Sequence, residues 1–202
     1  MSLTRLNIYV GTSLLRFYFA AFVVLGLAYF LQSLIVQPVQ VLLFPDADFA
    51  LANIISIPFG AGLLIVLMMG YKGVLVVILG KSLLEFTFMD ISLLNALIHA
   101  LHDGVGLLLA LMATAYMLRR DLKQGLLMQS VCASTLVRQA LFVTVVASLI
   151  DGVLHASVNL GAGDATLSIR YLMSHILGGL FIFVSLYFLR FRLSRWITVK
   201  DA

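Results

Sequence analysis

Every histidine of the chain (His99, His102, His155 and His175) and three of its carboxylates (Glu85, Asp103 and Asp151) stand within or at the edge of apolar runs long enough to cross a bilayer. A charge in hydrocarbon costs on the order of several kcal/mol unless it meets a partner or water, so these side chains are expected to share a polar interior. Three chemistries suit such a set. Neutral imidazoles with carboxylates bind transition metals such as Zn, Ni, Cu or Fe, which makes His99, His102, His155 and His175 a candidate ligand set. Asp103 or Asp151 beside a histidine could instead titrate near neutral pH and handle protons for sensing or transport. Interhelical hydrogen bonding is the plainest use, at roughly 0.6 kcal/mol per pair.

Helical spacing groups these residues into stripes. Asn95, His99, His102, Asp103 and Gly106 recur at steps of four, three, one and three, with Gly106 leaving room for another backbone. Asp151, His155 and Asn159 follow at steps of four, and Lys81 and Glu85 are four apart and able to pair. His175 enters about a turn and a half into the last apolar run. The candidate binding or proton-handling residues are therefore Lys81, Glu85, Asn95, His99, His102, Asp103, Asp151, His155 and His175. By rise per residue most of them share one depth, in the outer half of a bilayer. Arg138, near the inner end of its run, is expected to snorkel to the interface.

The elements that must position them follow from composition. Of 202 residues, 62% are apolar and 11% charged, against about 25% charged in soluble domains. The predicted fold is all-α, a single polytopic membrane bundle over residues 1–202, with six spans at about 14–35, 49–69, 73–88, 91–118, 131–154 and 171–189. The first run is too long for a signal-peptide core and lacks a small-residue cleavage site, so it reads as a retained helix. Turns are expected at Gln37-Pro38, Phe44-Pro45-Asp46, Gly70-Tyr71-Lys72-Gly73 and Asn159 to Asp164. Arg5, Lys72, Arg119, Arg120, Lys123, Arg190, Arg192, Arg195 and Lys200 fall on one side of this scheme. Asp46, Asp48, Asp90 and Asp164 fall on the other, with Arg170 the basic exception. Both termini are accordingly predicted in the cytoplasm and the chain in the inner (plasma) membrane. The net charge of +4 is expected to meet anionic lipid headgroups rather than nucleic acid. A single Cys132 rules out a disulfide framework.

Catalysis finds no recognisable motif. Ser56, Ser134, Ser157 and Ser174 lack a nucleophile elbow, and there is neither a His-Glu-x-x-His run nor a phosphate-cradling Gly loop, so no enzyme is expected.

Ile57-Pro58-Phe59-Gly60, Gly70-Tyr71-Lys72 and Val77-Ile78-Leu79-Gly80 resemble the Pro-x-Gly, Gly-aromatic-basic and Leu-Gly pattern of the MASE-type integral membrane sensory domains of bacteria. Ser174-His175-Ile176-Leu177-Gly178 is similar to that family's Gly-Asp-x-x-Gly segment, with Ser174 for the first Gly and His175 for the Asp. The likeness runs in patches from Ile54 to Leu189. It departs from the family in lacking the aromatic-Pro before Pro58, in having fewer spans and in carrying no output domain. It implies a sensor that signals through a partner protein. A six-helix chain with small residues on its first helix (Ala20, Ala21, Gly26 and Ala28) also resembles the substrate-binding component of energy-coupling-factor vitamin transporters. That likeness implies uptake of a small molecule, with the small residues docking a transporter scaffold or else packing within the chain.

Overall fold

The computed structural model describes residues 3–44, 53–89, 91–119, 133–158 and 169–185, and their side chains except at 3–14, 118, 133–140 and 155–158. These residues form an all-α bundle of six helical rods. The first rod runs through α1 (Leu3–Leu31), a π-helical turn (Gln32–Val36) and α2 (Gln37–Leu43). Then come α3 (Ile57–Met69), α4 (Tyr71–Phe88), α5 (Leu93–Leu118), α6 (Ala133–Val158) and α7 (Ile169–Ser185).

The first rod differs from expectation by continuing through Gln37-Pro38 instead of turning there. Proline within a helix lacks an N–H and crowds the carbonyl four residues back, here that of Leu34. The wider π-helical turn contains Leu34 and is closed by Gln37 N–H donating to the Gln32 carbonyl, so the rod absorbs the proline without breaking.

The second rod starts at Ile57 rather than near residue 49. Pro58 occupies its first turn, where no N–H is needed, and the Ser56 hydroxyl caps it by accepting from Phe59 N–H at 3.4 Å. Gly70 makes the expected hairpin into α4 with φ 64° and ψ −144°, a conformation that strains any side chain. Ser92 caps α5, accepting from Asn95 N–H at 3.3 Å.

Each rod runs opposite in sense to the next, so the end of the first rod and of α4 meets the start of α3, α5 and α7 at one end of the bundle. Lys72 opens α4 and Arg119 closes α5 at the other end. The core between them is tight and aliphatic, with Leu25, Leu63, Val66, Leu67, Leu107, Leu111 and Val143 fully enclosed. Outward-facing positions are apolar too, among them Leu75, Leu79, Leu83, Leu94, Leu109, Leu149, Val153 and Phe181. Leu15–Leu43 (29 residues, mean hydropathy 2.2) and Leu93–Met117 (25 residues, mean hydropathy 1.7) are long and apolar enough to cross a membrane.

α7 lies very close to α3. A Cβ on Gly178 would overlap the Ser56 carbonyl, and one on Gly60 the Gly178 carbonyl, while Ser56 N–H donates to the Ser174 carbonyl at 3.1 Å. Gly106 does what its spacing suggested, since a Cβ there would lie 3.4 Å from Asp151 Cβ where α5 meets α6. The basic residues Arg120, Lys123, Arg190, Arg192, Arg195 and Lys200 lie outside the described residues, as do Asp46, Asp48, Asp90, Cys132, Asn159 and Asp164.

Candidate functional site

At the end of the bundle where α4 finishes and α5 and α7 begin, a cavity of about 420 Å³ opens between the rods. That size falls within the range, about 300 to 1,000 Å³, of pockets that enclose small organic ligands. Its charged wall is built by α4 and α5. Lys81 Nζ forms ion pairs with Asp103 and, at 3.3 Å, with Glu85 Oε1. The pairing of Lys81 with Glu85 one turn later is the one its spacing suggested, and Asp103 arrives from the neighbouring helix. Tyr29, buried on the first rod, donates its hydroxyl to the same Glu85 Oε1 at 3.1 Å. His99 Nδ1 stands 3.7 Å from Glu85 Oε2, an ion pair only when the imidazole is protonated and too long for a hydrogen bond.

The opposite wall is aromatic. Phe59 of α3 stacks on His175 of α7 with ring centres 3.9 Å apart and planes 3° from parallel, and Tyr171 meets the same imidazole edge-on at 6.0 Å. Behind it, His175 Nδ1 lies 2.8 Å from Asp151 Oδ2 of α6. Both residues are buried; the contact is an ion pair only when the imidazole is protonated, and Asp151 stands behind the cavity wall without lining it itself.

The first rod closes the remaining side with amides. Gln32 Oε1 accepts Ile57 N–H at 3.0 Å, satisfying a donor that the start of α3 leaves without a helical partner. Gln40 accepts Ile54 N–H in the same way and donates to Asn53 Oδ1 at 3.4 Å. Because Gln32 Oε1 is held by a backbone donor, the other end of the amide is Nε2, and this buried atom has no hydrogen-bond partner. Glu85 Oε2 likewise is buried and accepts no hydrogen bond.

Of the residues singled out by sequence, Lys81, Glu85, His99, Asp103 and His175 line the cavity together, and Asp151 supports one of them. Asn95 and His102 stand apart from this group. Asn95 is exposed and His102 half-buried, and neither lines the cavity. At about 100° per residue, Asp103 stands roughly 80° around the helix from Asn95 and 100° from His102, so a stripe that holds Asp103 inside turns the other two away. The His155 and Arg138 side chains lie outside the described ones.

The proposed metal set of His99, His102, His155 and His175 does not converge in its described members. His99 faces Glu85, His175 faces Asp151, and His102 is off the wall. Among the described residues no group of three or more His, Cys, Asp or Glu side chains is placed to hold a metal ion.

Sequence reasoning missed Tyr29, Gln32, Ser56, Phe59 and Tyr171. Three glutamines, Gln32, Gln37 and Gln40, interrupting one apolar run were the signal that could have found the amide side. Amides in such a run need partners as much as charges do.

Comparison with protein-family models, with curated proteins and with solved structures finds no match to this chain.

Proposed function

We propose that this chain is a multi-pass protein of the inner (plasma) membrane, with six spans and both termini cytoplasmic. On this reading it binds a small ligand in the cavity, in the outer half of the bilayer, and passes its occupancy to a protein partner as a sensor. The observation that carries the reading is the cavity itself. In a bundle whose core and outer surface are largely apolar, Lys81, Glu85, Asp103, His99 and His175 converge on one cavity from three helices. Structural hydrogen bonding alone needs no such space, whereas a binding site does. Lys72 and Arg119 at the far end support the orientation, because basic residues mark the cytoplasmic side and the cavity then faces outward. The sensory role rests on the likeness of the Pro58, Gly70 and Gly178 segments to MASE-type domains.

Uptake together with a transporter scaffold is the alternative. Its sequence argument was a first-helix face of small residues free to dock a scaffold. Ala21 and Ala28 are instead buried within the bundle, and a Cβ on Gly26 would touch Leu84 of α4. Only Ala20 of that group is exposed.

Native mass spectrometry of the full chain released from lipid nanodiscs tests the reading. Wild-type protein is expected to carry a small-molecule adduct that is absent from the triple variant Lys81→Met, Glu85→Gln, Asp103→Asn. No adduct on the wild type, or the same adduct on both, would contradict a ligand site built from these groups.

A further inference from the structure

The walls of the cavity constrain what can occupy it. Among the described residues, the wall built by α4 and α5 sets one lysine, Lys81, against two carboxylates, Glu85 and Asp103. Taken by themselves these three groups leave acidic oxygens in excess, in surroundings that screen charge poorly. Lys81 and Tyr29 both engage Glu85 through Oε1, leaving Oε2 without a hydrogen bond and with His99 Nδ1 no nearer than 3.7 Å. A buried carboxylate oxygen left in that state is costly unless a donor reaches it. Gln32 Nε2 and His175 Nδ1 are buried nitrogens of cavity-lining residues that make no hydrogen bond, and the Gln32 nitrogen is a donor whose orientation is fixed by the bond from Ile57 N–H to its partner oxygen. Glu85 and Gln32 are both more than nine-tenths buried and both line the cavity. Phe59, Tyr171 and Tyr29 line the same cavity, and aromatic rings favour an apolar body and attract positive charge.

Resting on the reading that the cavity is a ligand site, we infer that it takes a small organic amine. The ammonium donates to Glu85 Oε2, the apolar body lies against the Phe59 and Tyr171 rings, and a hydroxyl or carbonyl oxygen on that body accepts from Gln32 Nε2. An anionic ligand of the same shape would add a third negative charge beside Glu85 and Asp103 and leave Glu85 Oε2 without a donor.

Three probes on the same phenylethyl frame separate these terms. Tyramine has both groups, phenethylamine lacks the oxygen, and 3-(4-hydroxyphenyl)propionate replaces the ammonium with a carboxylate. Binding is measured by equilibrium dialysis on the full chain in phosphatidylglycerol nanodiscs. Wild-type protein is expected to hold tyramine at least tenfold more tightly than the propionate, and roughly 2- to 12-fold more tightly than phenethylamine, the range of one neutral hydrogen bond. Glu85→Gln keeps an oxygen for Lys81 and Tyr29 but loses the charge, and is expected to weaken tyramine by about tenfold or more. Gln32→Leu should bring tyramine and phenethylamine level.

The amine could also come from a lipid headgroup. Displacement of tyramine when phosphatidylethanolamine is added to the nanodisc would support the same chemistry with lipid as the source, and no displacement would support a soluble amine. Propionate binding as tightly as tyramine in the wild-type protein would overturn the inference while leaving a ligand site standing, and that comparison needs no variant to fold. Failure of all three probes to bind would overturn the amine inference, and the adduct comparison by native mass spectrometry then decides separately whether the cavity is a ligand site.

Discussion

Replacing Lys81 by Met removes the ammonium that, among the described residues, pairs with both Glu85 and Asp103 inside the bundle. Its side chain is 14% exposed, and those of Glu85 and Asp103 are 9% and 4% exposed, so water reaches the pairing only from the cavity side. Methionine fills a similar volume but removes the ammonium that both Glu85 and Asp103 share. Breaking a buried pair in this one-sided way costs about 3 to 5 kcal/mol, a drop of roughly two to three and a half powers of ten in the folding equilibrium. Tyr29 still donates to Glu85 Oε1, which keeps the expected loss toward the lower end. Adding Asp103→Asn and Glu85→Gln removes the stranded charges, and most of the lost stability should return, since a buried ionic group replaced as a whole is often nearly neutral. The assay is reversible unfolding of the purified chain in mixed micelles, with the single, double and triple variants forming a thermodynamic cycle. A loss below about 1 kcal/mol for Lys81→Met, the value of an exposed ion pair, would refute the argument. So would failure of the triple variant to recover.

Two further outcomes follow from individual contacts. Gly178→Ala places a methyl against the Ser56 carbonyl, forcing α7 off α3 and stretching the Ser56-to-Ser174 backbone bond. It should destabilise by about 1 to 3 kcal/mol, read as a lowered melting temperature in detergent, and an unchanged melt would show that the crossing is looser than described. Tyr29→Phe removes the hydroxyl that donates to buried Glu85. It should cost about 1.5 to 3 kcal/mol in the same unfolding assay, less if Lys81 moves closer to Glu85, and no loss would mean that the hydroxyl bond contributes nothing to holding the charged wall.

Much of the architecture was visible in the apolar runs. Six of them give six rods, and Gly70 and Gly106 occupy the turn and the close approach that their positions suggested. The limits of the rods were harder to read. Pro38 looks like a boundary, yet a π-helical turn carries the helix past it; that accommodation depends on packing, which periodicity alone does not reveal. Pro58 was legible as a feature of a helix but not as its first turn, because the capping role of Ser56 emerges only once Phe59 N–H is seen to need a partner.

The charged half of the site could be read because charge in an apolar run is conspicuous. Lys81, Glu85 and Asp103 meet as their burial requires, and His175 finds Asp151 across two helices. Grouping all of helix α5's polar residues on one stripe failed at Asn95 and His102, because a stripe nine residues long turns through too wide an arc for every member to face inward. The neutral half stayed hidden. Tyr29, Phe59 and Tyr171 look like ordinary membrane-helix residues, and which rings line a cavity depends on how close Gly60 and Gly178 let α3 and α7 come.

The central claim is that a polar cavity, open to the outside, lies within a membrane-embedded bundle. Cysteine labelling in intact cells tests it most directly, using a membrane-impermeant cationic thiol reagent and a Cys132→Ser background. Tyr171→Cys, on the cavity wall, should react from outside. Leu79→Cys, on the apolar outer face, should stay unreactive because hydrocarbon suppresses the thiolate. Lys72→Cys, at the opposite end, should react only after the membrane is opened. Labelling of Lys72→Cys from outside, or protection of Tyr171→Cys under the same conditions, would contradict the account.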